Sequence, residues 1–200
     1  MMKINIFNPT AIGKTKVDDY IFNKLNQISL DLLSTGSLEQ DYPENDYLTL
    51  RGGSQRRVWP LDNMEWFKVW VEFQAREYQE KLWEQSNTGS LDLFPKLVNA
   101  WTISQPENSY QVTHTHPYGH ISGNLYLETP EFDSDSAETD GCISFVLDRS
   151  PDIQSSRFLH VQPENGMMLV FPSWLPHQVY PWKGRGQRRV IAWDCQLLPQ

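Results

Sequence analysis

From Val17 onward the apolar residues Tyr20, Ile21, Leu25, Ile28 and Leu32 recur at three- and four-residue spacing. That is the period of an amphipathic helix of about four turns. Asp18 and Asp19 stand where a helix dipole favours negative charge, and Gly36 marks its stop. A second helical series, Phe67, Trp70 or Val71, Gln74, Tyr78 and Leu82, follows Asp62 at a cap position with Glu65 three residues on, and ends near Ser86-Asn87-Thr88-Gly89. Ahead of the first helix, residues 4 to 12 read as a short strand ending at Asn8-Pro9. Residues 39 to 60 read as a polar loop with an extended piece at Tyr47 to Leu50.

After Pro95 the period changes to two. Strands are predicted at Val98 to Ile103, Tyr110 to His116, Ile121 to Leu127, Cys142 to Leu147, Arg157 to Val161, Met167 to Phe171 and Arg188 to Leu197. Turn signals separate them at Pro106-Glu107-Asn108, Pro117-Tyr118-Gly119, Pro163 to Gly166 and Lys183 to Gly186, and Glu131 to Asp140 reads as an exposed, mobile acidic loop. Strands at this spacing with no helix between them indicate a sandwich or jelly roll rather than βαβ units. The expected chain is therefore mainly β and a single domain. Residues 96–198 form a cupin-like double-stranded β-helix, and residues 1–95 support it with a strand and two α-helices.

Composition narrows the classes. The formal net charge of -8 argues against a phosphate-binding surface, although Arg51, Arg56 and Arg57 form one small basic cluster and Lys183, Arg185, Arg188 and Arg189 another. Two cysteines, Cys142 and Cys195, are too few for a secreted disulfide scaffold and suit a reducing cytoplasm. No apolar run approaches the roughly 20 residues of a membrane span, and the first residues do not read as a signal peptide. Neither a membrane nor a nucleic acid is expected as partner, and the oligomeric state, monomer or homodimer, is open.

The chemistry lies in the histidines. Val112 to Leu127 holds three of the five, His114, His116 and His120. Residues two apart on a strand share a face roughly 6–7 Å apart, so His114 and His116 could reach one ion. The alternative is a pair of ordinary hydrogen-bonded side chains. Imidazole suits iron, zinc, copper and nickel, and three ligands on one face leave positions for substrate or dioxygen. His177 follows the strand Met167 to Phe171 through a Pro-Ser-Trp-Leu-Pro turn and can complete such a set if the roll brings distant strands together. His160 is distant in the pattern. On the last strand either Arg188, with Val190 and Ala192, or Arg189, with Ile191 and Trp193, faces inward and needs an anion there; the other is expected to be solvated.

The His-x-His-Pro stretch, Ser122-Gly123-Asn124-Leu125-Tyr126-Leu127, Gly166 to Phe171, Pro172 to Pro181 and Gly186-Gln187-Arg188, taken in order, resemble the Fe(II)- and 2-oxoglutarate-dependent oxygenases. The nearest match is to those of bacterial and phage genomes with a Ser-Gly-Val-Tyr-Tyr-Leu strand and a Phe-Pro-Ser-Trp-Leu-x-His turn; prolyl hydroxylases are more distant. The resemblance spans residues 97 to 196. It implies that His114 and His177 are iron ligands, and that His116 stands where most of the superfamily has Asp or Glu. It also implies that Arg188 and Tyr126 hold the far carboxylate of 2-oxoglutarate, with Ser122 and Asn124 as further pocket candidates. Whether His116 truly replaces the carboxylate, or His120 or Glu128 completes the set, is open. The implied cofactors are Fe(II) and 2-oxoglutarate, and the implied partners dioxygen and an unidentified substrate, hydroxylated with release of succinate and CO2. Two rivals stand beside it: a cupin-like three-histidine metalloenzyme without 2-oxoglutarate, and a non-catalytic jelly-roll module.

Overall fold

A computed structural model describes residues 2–7, 10–35, 49–86, 92–148 and 157–199. It opens with two strands, β1 (Lys3–Phe7) and β2 (Thr10–Lys16), paired antiparallel with Phe7 opposite Thr10. The single strand expected over residues 4–12 is thus two. A reversal keeps the period of two on both sides, so the pattern alone does not reveal it. The expected end at Asn8-Pro9 lies outside the described residues.

Helix α1 (Asp19–Ser34) begins where Asp18 accepts a hydrogen bond from the Ile21 amide at 3.0 Å, a side-chain cap of the usual kind. Gly36 lies outside the described residues. Strand β3 (Leu50–Arg51) leads through Gly52 and Gly53, at φ 73 and 85, into β4 (Ser54–Trp59). Left-handed φ at both positions favours glycine, and it turns the chain from one sheet to the other. Strand β4 was expected as loop; its Ser-Gln-Arg-Arg start lacks the apolar alternation of a half-buried strand. The second helix, α2 (Glu65–Ser86), starts later than its sequence cap: the Met64 carbonyl accepts from Phe67 and Lys68 at 3.0 and 3.1 Å. Asn63, at φ 63, turns the chain away and leaves Asp62 outside the helix.

The remaining strands are β5 (Leu93–Gln105), β6 (Tyr110–His114), β7 (Ile121–Glu128), β8 (Glu131–Phe132), β9 (Ile143–Asp148), β10 (Arg157–Val161), β11 (Met167–Pro172), β12 (His177–Val179), β13 (Gly184–Arg185) and β14 (Arg188–Pro199). The segment expected as a mobile loop from Glu131 starts with β8, paired to β13, and is mostly exposed beyond it.

A seven-stranded sheet in the order β1-β2-β11-β7-β14-β5-β4 faces a five-stranded sheet in the order β10-β9-β12-β6-β3. All pairings are antiparallel, and strands far apart in sequence lie side by side, β11 against β2 and β7, β14 against β5 and β7. This is the jelly roll. The N-terminal residues contribute β1, β2 and β4 to its larger sheet.

Alternation along the strands divides the apolar residues into two cores. Met168, Val170, Ile191 and Trp193 turn outward and bury against Leu25 of α1 and Phe67, Val71 and Tyr78 of α2. Met167, Leu169, Phe171 and Val190 turn inward, where they meet Tyr126, Phe145 and Val179. Each such fully buried side chain contributes about 1.5–3 kcal/mol. The helices therefore brace the outer face of the larger sheet and leave the space between the sheets for polar side chains. Among the described residues no helix is long and apolar enough to cross a membrane.

Candidate active site

β6 and β12 are neighbours in the smaller sheet, and His114, the last residue of one, sits opposite His177, the first of the other. His116 is not on the strand as expected: β6 ends two residues earlier, and the His116 amide instead donates to the Ser173 carbonyl at 2.9 Å. This bond to the segment after β11 carries the His116 ring back over the other two. Ring centroids are 4.3 Å apart for His114 and His177, 5.3 Å for His114 and His116, and 5.1 Å for His116 and His177. One ring nitrogen of each lies within 4.8 Å of the others.

The other ring nitrogen of each is tied down. His114 Nδ1 lies 2.7 Å from the Val112 carbonyl, His177 Nδ1 2.9 Å from the Leu175 carbonyl, and His116 Nδ1 2.6 Å from Asp194 Oδ1. Carbonyl and ionised carboxylate oxygens only accept, so each Nδ1 carries the proton and donates. The three Nε2 atoms are left with lone pairs that converge. Burial pushes His114 down to about 4, helped by repulsion from His116, and burial with repulsion from the other two imidazoles holds His177 well below the ordinary imidazole range. Both stay neutral, the form in which an imidazole binds a metal.

Asp194 is the site residue that sequence reasoning missed. It is 6% exposed, accepts from Ser122 Oγ at 2.5 Å as well as from His116, and Ser122 Oγ lies 2.7 Å from Ser173 Oγ. Alternation from Arg188 through Val190 and Ala192 puts it on the inner face, so a lone acid in an apolar strand was the available signal. Ser122, expected toward the cosubstrate, spends its hydroxyl proton on Asp194.

A cavity between the sheets is lined by the three histidines, Asn124, Arg188 and apolar walls that include Ile143, Phe171 and Val179. Both side-chain amide atoms of Asn124 are buried and have no hydrogen-bond partner among the described residues. Arg188 is 2% exposed and inward. Its Nη2 donates to the Tyr126 hydroxyl at 3.3 Å, its Nη1 donates to Gln105 Oε1, and its guanidinium lies 5.0 Å from the Tyr126 ring centroid. Among the described residues no carboxylate pairs with it.

Arg189 turns the other way. It was expected in solvent but is 3% exposed, bonded to Asn26 of α1 at 2.8 Å and paired with Glu128 at 3.1 Å. Helix α1 covers that face, which the strand pattern could not report. Glu128 is therefore engaged with Arg189 and does not join the histidines. His120 is exposed, with Nδ1 accepting from the Leu197 amide at 3.1 Å, and His160 lies beside Phe158 and Tyr180; neither belongs to the group. Arg56 donates to the Gln55 carbonyl on the edge strand β4.

Fold and site together define a double-stranded β-helix with a three-histidine group able to hold iron. Residues 99–194 match the family described as "Putative 2OG-Fe(II) oxygenase", so this stretch is similar to a 2OG-Fe(II) oxygenase domain. No curated protein sequence matches significantly. Among solved structures, a Pseudomonas putida prolyl-4-hydroxylase is similar at TM-score 0.61 and 15% identity, over 92% of each chain. The viral collagen prolyl hydroxylase of Paramecium Bursaria Chlorella virus-1, in its 2OG complex, is similar at 0.56 and 13%, over 92% of this chain and 96% of that one. The carbocyclase SnoK of nogalamycin biosynthesis, described as non-heme and alpha-ketoglutarate-dependent, reaches 0.66 at 8% identity, over 92% and 78%. At these identities the likeness is one of fold.

Proposed function

We propose that the chain is an Fe(II)- and 2-oxoglutarate-dependent dioxygenase in which His114, His116 and His177 hold the metal, and that it hydroxylates an unidentified substrate. The observation that carries this reading is the convergence of three Nε2 lone pairs whose opposite ring nitrogens are each fixed by an acceptor. Lone pairs that converge without a cation repel one another, and a set of neutral imidazoles suits Fe(II).

Arg188 is the second support. A buried guanidinium with no acidic partner is costly unless an anion meets it, and its planar fork matches a carboxylate. Tyr126 accepts from Arg188, so its own hydroxyl proton is available to the same anion. These two would hold the far carboxylate of 2-oxoglutarate, and the unpartnered amide of Asn124 would bond the cosubstrate from the wall. When bound, Fe(II) and 2-oxoglutarate supply the oxidation, coupling dioxygen reduction to release of succinate and CO2. The apolar walls Ile143, Phe171 and Val179 keep water from the reacting centre. The buried, unpaired thiols of Cys142 and Cys195 fit a cytoplasmic setting for this enzyme.

Anaerobic thermal melts with Fe(II) and 2-oxoglutarate test the reading, because a ligand that binds only the folded state raises the melting temperature. The expected result is a rise with Fe(II) and a further rise with 2-oxoglutarate that requires the metal. A response to metal alone would favour a three-histidine enzyme without a keto acid, and no response to either would leave a non-catalytic roll.

A further inference from the structure

We infer that Asp194 is the positioning residue of the metal centre: through His116 it delivers the one negative charge that a set of three neutral imidazoles lacks. The inference rests on the metal reading proposed above and names a residue that reading does not need.

Asp194 is 6% exposed, and its Oδ1 lies 2.6 Å from His116 Nδ1 and 2.5 Å from Ser122 Oγ. No lysine or arginine among the described residues pairs with it. Taking a carboxylate out of water without a cation costs several kcal/mol. A cation on the far side of the His116 ring, where the three Nε2 atoms meet, would answer that charge. A metal there compensates Asp194, and Asp194 raises the basicity of the imidazole between them.

The three ligands are not equivalent in this respect. His114 and His177 donate to the backbone carbonyls of Val112 and Leu175, which are neutral acceptors. Only His116 is backed by a charge. The surroundings hold that pairing closed: the His116 amide donates to the Ser173 carbonyl, Ser173 Oγ bonds Ser122 Oγ, and Ser122 donates to Asp194. Ser122 has a single proton and gives it to the carboxylate, so Ser173 must be the donor between the two hydroxyls. The turn after His116 packs closely on Ser173 and Asp194 through glycine at residue 119, where a Cβ would fall 2.6 Å from Ser173 Oγ and 3.2 Å from Asp194 Cβ.

Co(II) is the probe, read by its binding constant and ligand-field spectrum. Asp194→Asn keeps the shape and an acceptor oxygen but removes the charge. The expected result is a Co(II) dissociation constant roughly 10- to 100-fold higher, an altered spectrum, and a metal-free melting temperature that does not fall. In a His116→Ala background the same substitution should cost nothing further, because its route to the metal is gone. Binding within about twofold of wild type, or an undiminished penalty without His116, overturns the inference and leaves the three-histidine site standing. Failure of the wild-type chain to bind Co(II) overturns the metal reading itself. Should Asp194→Asn not fold, Ser122→Ala removes only the hydroxyl that orients the carboxylate; a smaller rise in the same direction supports the inference and unchanged binding overturns it.

Discussion

Arg188 and Arg189 are adjacent in the chain and almost equally buried, at 2% and 3% exposure, yet they face opposite sides of β14. Arg188 points between the sheets, against Tyr126 and Gln105, while Arg189 points beneath α1, against Asn26 and Glu128. The second is a paired structural cation; the first has donors to spare and no anion.

Substitution by methionine separates the two roles. On the proposed reading, Arg188→Met would remove charge-assisted hydrogen bonds to the cosubstrate, each worth about 1.5–3 kcal/mol. The KM for 2-oxoglutarate should rise roughly 10- to 100-fold, with metal affinity retained. Arg189→Met should leave that KM unchanged and lower the melting temperature, since it strands Glu128 and Asn26. Steady-state kinetics and thermal melts on both variants check the pair; a KM effect from Arg189→Met would contradict the division.

Gly123 lies beneath Trp193, where a Cβ would sit 2.2 Å from the ring atom Cζ2. The ring is fully buried and packed under the helices, so it cannot swing aside. Gly123→Ala should therefore destabilise by about 1–3 kcal/mol, and a melt should show a loss of several degrees. A melting temperature equal to wild type would mean the larger sheet yields here.

Acid should act on the metal-free chain through the histidines. His114 is held at about 4, against an ordinary value of 6.5. Between those values the unfolded chain takes up a proton that the folded chain refuses, so stability falls as pH falls. The melting temperature should drop between about pH 6.5 and 4, with His177, shifted the same way, adding to it. A His114→Gln variant should show a shallower acid loss over that window.

Much of the roll was legible because period-two patterning survives wherever one strand face is buried: β7, β9, β11 and β14 stand near their expected bounds. The same alternation put Arg188 and Arg189 on opposite faces of the last strand, but it left open which of the two turns inward. What lay outside the pattern depended on tertiary partners. Strand β4 is polar and held as a strand by pairing with β5. The start of α2 was set by the turn at Asn63 rather than by the best cap in the sequence. His116 reaches the site from beyond the strand by its bond to Ser173, and the role of Asp194 depends on a contact 78 residues away in sequence. Neither is written in local spacing.

Succinate release from 2-oxoglutarate by the Fe(II)-loaded chain, wild type against His177→Ala, bears most directly on the three-histidine centre. His177 is buried, and its Nε2 faces the other two imidazoles. The wild-type chain should turn over in air. The variant, shown to be folded by its far-UV spectrum, should lose metal-dependent turnover. A folded His177→Ala protein that releases succinate at the wild-type rate would contradict the assignment of the metal to these histidines.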